Sequence, residues 1–138
     1  MLKLKMRRLA AATAFLTGIA LLFASALPGQ KVEGKGKAWL DARAEPAEIN
    51  VNGAWNGGVW GRVILKQAEG SREITGTGDE WDVLGVVSGR NVYLLFSHKG
   101  RIAYSAELSQ DGPNALAGRY ADGLLTGRSK TRLMHLSR

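Results

Sequence analysis

The 138-residue sequence contains no cysteine. It therefore forms no disulfide bond, offers no thiolate to zinc, and has no cysteine that could carry a lipid at a processing site. Small exported domains often depend on disulfides, so a domain built from this chain must be held together by its hydrophobic core alone. A domain of about 110 residues can bury enough surface for such a core.

Histidine is almost as scarce, because the chain has only His98 and His135. We expect His98 to be solvated in a hairpin turn, and His135 to pack against a strand or lie at a rim. No spacing of histidines and carboxylates resembles a zinc site, and the acidic stretch 79–82 lacks the ligand spacing of a calcium loop. The sequence has no Gly-x-Ser-x-Gly, phosphate-loop or dinucleotide-binding motif. We therefore predict no enzyme activity, no metal and no cofactor.

The N-terminus has the layout of a secretory signal peptide. Four basic residues lie within the first eight, an uncharged apolar run follows over residues 9–23, and Ala24-Ser25-Ala26 is a small-x-small cleavage site. The run has 15 residues, which is short of the roughly 20 needed to span a membrane, so a cleaved signal is favoured over a retained anchor. We predict a cleavable apolar signal helix over residues 1–26, a periplasmic or secreted protein, and no stable membrane insertion after cleavage.

The predicted leader also accounts for much of the positive charge. Without its four basic residues the chain has 15 basic and 12 acidic residues, a net charge of +3 rather than +7. A nucleic-acid-binding domain is usually far more basic than this. We therefore expect no nucleic-acid partner.

Short apolar strands separated by glycine turns make up most of the remaining sequence. Apolar and polar residues alternate from Glu48 onwards, and turn glycines recur every 11 or 12 residues, at Gly78, Gly89, Gly100, Gly112 and Gly123. That spacing favours antiparallel strands with short connections. A meander with one apolar face closes most easily into a barrel, which leaves no exposed edge. We predict an all-β domain over residues 48–138, a seven- or eight-stranded antiparallel up-and-down barrel.

Glycines inside the predicted strands also suggest local geometry. A bulge or sharp bend at Gly57-Gly58 would bring Trp55 and Trp60 to the same side, and a break there would make the strand count eight. Four further glycines lie within strand-like runs, at Gly76, Gly85, Gly118 and Gly127. They either allow strands to coil around large neighbours or mark irregularity next to turns.

Residues 27–47 are predicted to be a flexible lead-in segment, polar and glycine-rich at its start. Trp39 and Leu40 within it need an apolar surface to pack on. The predicted outer wall offers one, formed by Leu84, Val86, Tyr93 and Leu95. Since exposed apolar patches of this size are usually covered, we expect the Trp39-Leu40 segment, rather than another subunit, to cover it.

Three short motifs carry a resemblance to a known group of proteins. They are Gly53-Ala-Trp55, Val63-Ile-Leu65-Lys-Gln67 and Thr75-Gly-Thr77, followed by Leu116-Ala-Gly-Arg-Tyr120 and Thr131-Arg132. This order resembles small exported bacterial meander β-barrels of the avidin and lipocalin type, over roughly residues 49–136. The biotin-binding pattern of avidin is not matched, since Gly57 and Gly78 stand where it has asparagine and tyrosine. The resemblance thus implies an architecture and not a ligand.

Two groups of residues are candidate binding sites. Six aromatic residues are predicted to point into the barrel, where they either fill the core or line a small-ligand site at one mouth: Trp55, Trp60, Trp81, Phe96, Tyr104 and Tyr120. Basic residues alternate along the predicted last strand, Leu124 to Leu136, and form either a solvated face or a surface for an anionic partner. They are Arg128, Lys130 and Arg132, joined by Arg119 from the preceding strand.

We therefore predict an exported, non-enzymatic β-barrel that acts as an interaction or small-ligand binding module. Its partner would be a small apolar ligand or an envelope protein. The alternative is a barrel-type inhibitor that docks an envelope or secreted enzyme through its loops.

Overall fold

The computed structural model describes residues 30–138, and the predicted signal helix lies outside these residues. Eight antiparallel strands form a closed barrel in which each strand pairs with the next along the chain, and β8 pairs with β1. The strands are β1 (Gly53–Asn56), β2 (Arg62–Lys66), β3 (Glu73–Gly78), β4 (Trp81–Ser88), β5 (Asn91–His98), β6 (Arg101–Gln110), β7 (Ala115–Asp122) and β8 (Arg132–Ser137). The predicted all-β, up-and-down barrel is confirmed.

The strand count is eight because the chain breaks between β1 and β2. Gly57 is followed by a 3-10 turn, Gly58–Trp60. Gly58 and Gly61 have φ angles of 63° and 71°, a region that residues with a Cβ seldom adopt. The predicted sharp bend at the glycine pair is therefore present, as a 3-10 turn and not as a bulge within one strand.

Two strands are shorter than the alternation of the sequence predicts. The first begins at Gly53 and not at Glu48. The backbone before Gly53 bonds to the Gln67 side chain instead of to a neighbouring strand. Gln67 Oε1 accepts from Val51 N at 2.8 Å, and Gln67 Nε2 donates to Ile49 O at 3.2 Å. The last begins at Arg132 and not at Leu124. Leu125 turns to the outer wall instead, where its N–H donates to Ser105 Oγ at 2.7 Å.

The barrel interior is one continuous hydrophobic core. Val63 and Leu65 of β2 point inward, and so do Leu94 and Phe96 of β5. Ile102 of β6 would point inward if the alternation of Tyr104 and Ala106 continued to it. A register shift beside Phe96 moves it to the outer wall, where it is buried in a second cluster. An extra residue in one strand of a pair changes which face the following side chains take.

The N-terminal segment packs on the outside of the barrel. An irregular helical turn, Val32–Gly36, leads into helix α1, Lys37–Asp41. Leu40 is buried against Leu95, and the Trp39 ring contacts that of Tyr93 edge-on at 5.9 Å between centroids. The prediction that this segment covers the outer apolar patch is thus confirmed for residues 32–41 of the expected lead-in. Among residues 30–138 no helix combines the length and the apolar character that crossing a bilayer requires.

Candidate functional site

Five of the six predicted aromatic residues meet at one end of the barrel, which we call the aromatic end. Trp60 is at the centre, with its ring 4.9 Å from that of Phe96, 5.1 Å from that of Tyr104 and 4.9 Å from that of Tyr120. Trp81 extends the group, 5.5 Å from Tyr104. Most of these pairs are edge-to-face, an arrangement in which the positive ring edge meets the negative ring face.

Strand ends and one turn bring the five rings together. Trp60 comes from the turn between β1 and β2, and Trp81 is the first residue of β4. Phe96 and Tyr104 lie opposite each other in the register of β5 and β6, and Tyr120 of β7 lies opposite Ala106. Since directly paired residues share a face of the sheet, these side chains all point toward the barrel axis near the same rim.

The cluster has a buried base and an accessible top. Phe96 is fully buried, whereas Trp60, Trp81, Tyr104 and Tyr120 are half-buried. Within the described chain, the two indole N–H groups and the two phenol hydroxyls of those four residues make no hydrogen bond, and none of these atoms is a buried group without a partner. These polar atoms therefore reach solvent and are free to bond to a ligand.

Charged and polar side chains form the rim of the aromatic end. The Arg132 guanidinium lies 4.7 Å from the centroid of the Tyr120 ring and donates to Asp122 at 2.8 Å. The His98 ring contacts Trp81 edge-on at 6.5 Å. The Asp79 carboxylate lies against Gly61, so close that a Cβ added to the glycine would be 2.6 Å from Oδ2. The sequence prediction missed His98, Asp122 and Asp79 as parts of this end, although each lies at a predicted turn.

Trp55 does not belong to the aromatic end. Its indole N–H donates to Val51 O at 2.9 Å, and the Arg138 guanidinium lies 4.3 Å from its ring centroid. Because the ring is almost fully buried and its one donor is satisfied by the backbone, Trp55 has a structural role in the core.

The four predicted basic residues do not share a face. Arg128 and Lys130 lie in the loop before β8, so the strand alternation that was expected to align them does not exist. Arg132 pairs in register with the inward-pointing Tyr120, while Arg119 pairs with the exposed Leu133 on the outer wall. Arg119 and Arg132 also contact carboxylates, Arg119 with Glu107 at 3.1 Å. The single anionic-partner surface predicted from the sequence is therefore not formed by these four residues.

Other candidate sites carry little chemistry. His135 is exposed on the outer side of β8, where it lines a surface groove, and His98 is exposed in its turn as expected. Among residues 30–138 no group of three or more histidine and acidic side chains could hold a metal ion. A depression of about 520 Å³ lies at the opposite end of the barrel, beside Ile49, Gln67 and Ser71, but the Gln67 amide there is used for backbone hydrogen bonds.

The fold and this site define a closed, eight-stranded antiparallel barrel with an accessible cluster of aromatic side chains at one end. Comparison of the chain with family models, with curated proteins and with solved structures gives no match.

Proposed function

We propose that this protein is an exported, non-enzymatic barrel of the avidin/lipocalin-like type that binds an amphipathic ligand at the aromatic end. The observation that carries the proposal is the convergence of Trp60, Trp81, Tyr104 and Tyr120, four half-buried rings with free polar atoms. Exposed tryptophan and tyrosine combine a large apolar area with a hydrogen-bonding tip, which is why they are enriched at binding surfaces.

Binding would take place on top of the cluster and not inside the barrel. The rings lie about 5–6 Å apart, the spacing of rings in direct contact, and Phe96 below them is fully buried. A ligand would therefore contact ring edges and the four polar atoms at the rim. This geometry suits a small apolar molecule with a polar group, or an apolar side chain of an envelope protein.

The export part of the proposal depends on the sequence of residues 1–26, which has the layout of a signal peptide. Cell fractionation of the full-length protein tests it. Recovery from the periplasm or medium in a form shortened by about the length of a signal peptide is expected. Recovery of the uncut chain from the cytoplasm would contradict it.

The binding site is tested with matched tyrosine variants. The double variant Tyr104→Phe/Tyr120→Phe removes two hydroxyls from the aromatic end, and Tyr93→Phe removes one from the outer wall, where the ring packs on Trp39. Saturable quenching of tryptophan fluorescence by a panel of fatty acids and an amphipathic dye is the readout. We expect the double variant to weaken binding by about tenfold, the loss of one or two modest hydrogen bonds, and Tyr93→Phe to leave it unchanged.

Two results would contradict the proposed site. One is the absence of any saturable response to the panel and to an envelope extract passed over the immobilised chain. The other is equal weakening by Tyr93→Phe and by the double variant, which would place binding elsewhere or report a change in stability.

An inhibitor that docks an enzyme through its loops is the second candidate. It is favoured by Asp79 and Lys99, two residues other than glycine that have positive φ angles, 43° and 51°, in hairpin turns at the aromatic end. The hairpin turns hold both residues in this conformation, so two exposed charged side chains lie at fixed positions on the loops of this end. Inhibition of secreted proteases by the wild-type chain, lost when both residues are changed to glycine, is the expected result for this candidate.

A further inference from the structure

The barrel closes through a very short seam. Every pair of consecutive strands aligns at least four residues, whereas β1 and β8 align only Asn56 with Ser137. Beyond that pair the wall has no β1 residue to continue it, because the chain has already turned away at Gly57.

The turn that follows β1 uses its hydrogen bonds internally. Gly57 N–H donates to Gly61 O at 2.8 Å and Gly61 N–H donates to Gly58 O at 2.9 Å. Within residues 30–138 no backbone hydrogen bond joins this turn to residues 132–136 of β8. Since successive residues of a strand direct their N–H and C=O groups to opposite sides, β8 has unpaired backbone groups along the edge that faces away from β7.

A groove lies along this open edge. It has a volume of about 280 Å³ and is lined on one bank by the β1–β2 turn and on the other by Leu133, Met134 and His135. The two banks carry the exposed large hydrophobic residues of the described chain, Val59 (98% exposed) and Leu133 (90% exposed). An open strand edge flanked by accessible apolar side chains is a surface that pairs with an extended chain.

We propose that the groove binds an extended segment of a partner protein, which adds to the barrel as a short strand beside β8. The unpaired N–H and C=O groups of β8 require the same groups in the ligand, so the ligand is a polypeptide backbone. The β1–β2 turn forms the far bank of the groove, so the occupant that we propose is a single extended chain and not the edge of a second barrel. This inference does not require that the aromatic end binds a ligand, although Trp60 lies at both surfaces.

The neighbouring surface suggests the charge of the segment. On the other side of the Asn56–Ser137 pair is a depression of about 490 Å³ that has Arg62 and Arg138 among its lining residues and no acidic side chain. A segment bound beside β8 would end at the Asn56–Ser137 pair, and its end would then lie next to this depression. We therefore expect apolar residues in the groove and an acidic residue at one end of the bound segment.

The experiment selects phage-displayed random nine-residue peptides on the immobilised full-length chain and measures the affinity of the synthetic peptides by calorimetry. The test variant is Val59→Asp/Leu133→Asp, and its matched control is Thr75→Asp, an exposed residue of β3 on the other side of β2. Because both test positions are exposed, thermal unfolding of the variant should stay near that of the wild type. If the aspartate variant does not fold, Val59→Ser/Leu133→Ser replaces it as the test variant.

We expect selected peptides that alternate apolar residues and carry an acidic end, bind about tenfold or more weakly to the test variant, and bind normally to Thr75→Asp. N-methylation of alternate peptide amides should abolish binding, because it removes the donors that a strand uses. Failure to select any peptide, equal affinity for wild type and test variant, or indifference to N-methylation would overturn the proposal. So would self-association of the chain that the test variant abolishes, since the occupant would then be a second copy.

Discussion

Gly118, in the middle of β7, permits two strands to approach so closely that no side chain fits between them. A Cβ built on Gly118 would overlap Glu107 O and lie 2.9 Å from Leu108 Cα and 3.0 Å from Glu107 C. All three atoms belong to the backbone of β6, which pairs with β7 over residues 104–110. A flexible side chain could move aside, but these backbone atoms cannot, because β6 is hydrogen-bonded to β5 on one side and to β7 on the other.

The substitution Gly118→Ala should therefore force β6 and β7 apart by about 1 Å locally, enough to lengthen neighbouring hydrogen bonds beyond their usual range. Overpacking a rigid site costs about 1–3 kcal/mol and occasionally more. Because backbone meets backbone here, we expect about 3 kcal/mol, a large part of the roughly 5–15 kcal/mol by which a domain is stable. With a urea dependence of about 1.5 kcal/mol per molar, the midpoint of unfolding should fall by about 2 M.

Gly127→Ala provides the matched control for urea unfolding followed by tryptophan fluorescence. Gly127 lies in the loop before β8, where an added Cβ meets no atom within 4 Å. Its φ angle is outside the left-handed region, so alanine should be neutral or stabilise by up to about 1 kcal/mol. If both variants unfold within about 0.5 kcal/mol of each other, near the usual limit of a surface change, the close approach at Gly118 is not a constraint on the fold.

Three further substitutions test packing, buried polarity and surface charge, all by urea unfolding. Leu40→Ala should cost about 2–4 kcal/mol because it leaves a cavity under the N-terminal segment, and a cost below about 1 kcal/mol would mean that the segment is not docked in solution. Gln67→Glu replaces a buried amide that donates to Ile49 O and Ser71 O. Burial should raise the pKa of the new carboxyl above its value in the unfolded chain, so the variant should lose stability as the pH rises from the unfolded pKa through the raised one; a pH-independent loss would contradict this reasoning. Asp122→Asn should change stability by less than about 0.5 kcal/mol, since its ion pair is exposed, and a loss above about 1 kcal/mol would show that the rim contact matters more than its exposure suggests.

The sequence predicts the barrel well because its signals are local. Hairpin turns require residues that tolerate a positive φ, and Gly89 and Gly100 occupy such positions, with φ angles of 61° and 76°. Three of the four glycines within strand-like runs, Gly76, Gly85 and Gly118, lie where the neighbouring strand is too close to leave room for a Cβ. The fourth, Gly127, lies in a loop.

The boundaries of the first and last strands were less predictable, because distant side chains decide them. Leu124 and Leu125 continue an apolar pattern that reads as strand. The hydroxyl of Ser105, 20 residues away, bonds to Leu125 N, and Trp39 Nε1 donates to Leu125 O at 3.0 Å. These two contacts hold the segment against the outer wall, and no pattern within the segment itself reveals them.

The sequence predicts only in part which residues belong to the aromatic end. Alternation identifies which strand residues point inward, and it correctly grouped Trp81 and Tyr104, whereas Trp60 was placed with them by the predicted bend at Gly57-Gly58. It does not give the height of a ring along the barrel axis, which depends on the stagger between strands. Trp55 points inward as expected but has its indole bonded to Val51 O, away from the aromatic end.

The break after β1 links the two surfaces for which we propose functions. By leaving the wall at Gly57, the chain brings Trp60 over the axis, where its ring contacts Phe96, Tyr104 and Tyr120. The same departure leaves the edge of β8 without a partner and exposes Val59 beside it. A continuous strand would have paired with β8 and closed the seam, but it would have no turn from which Trp60 could reach the other rings. A ligand on the aromatic end and a strand in the groove would therefore both contact the Gly58–Trp60 turn. If the binding of one of them shifted that turn, the affinity of the protein for the other would change.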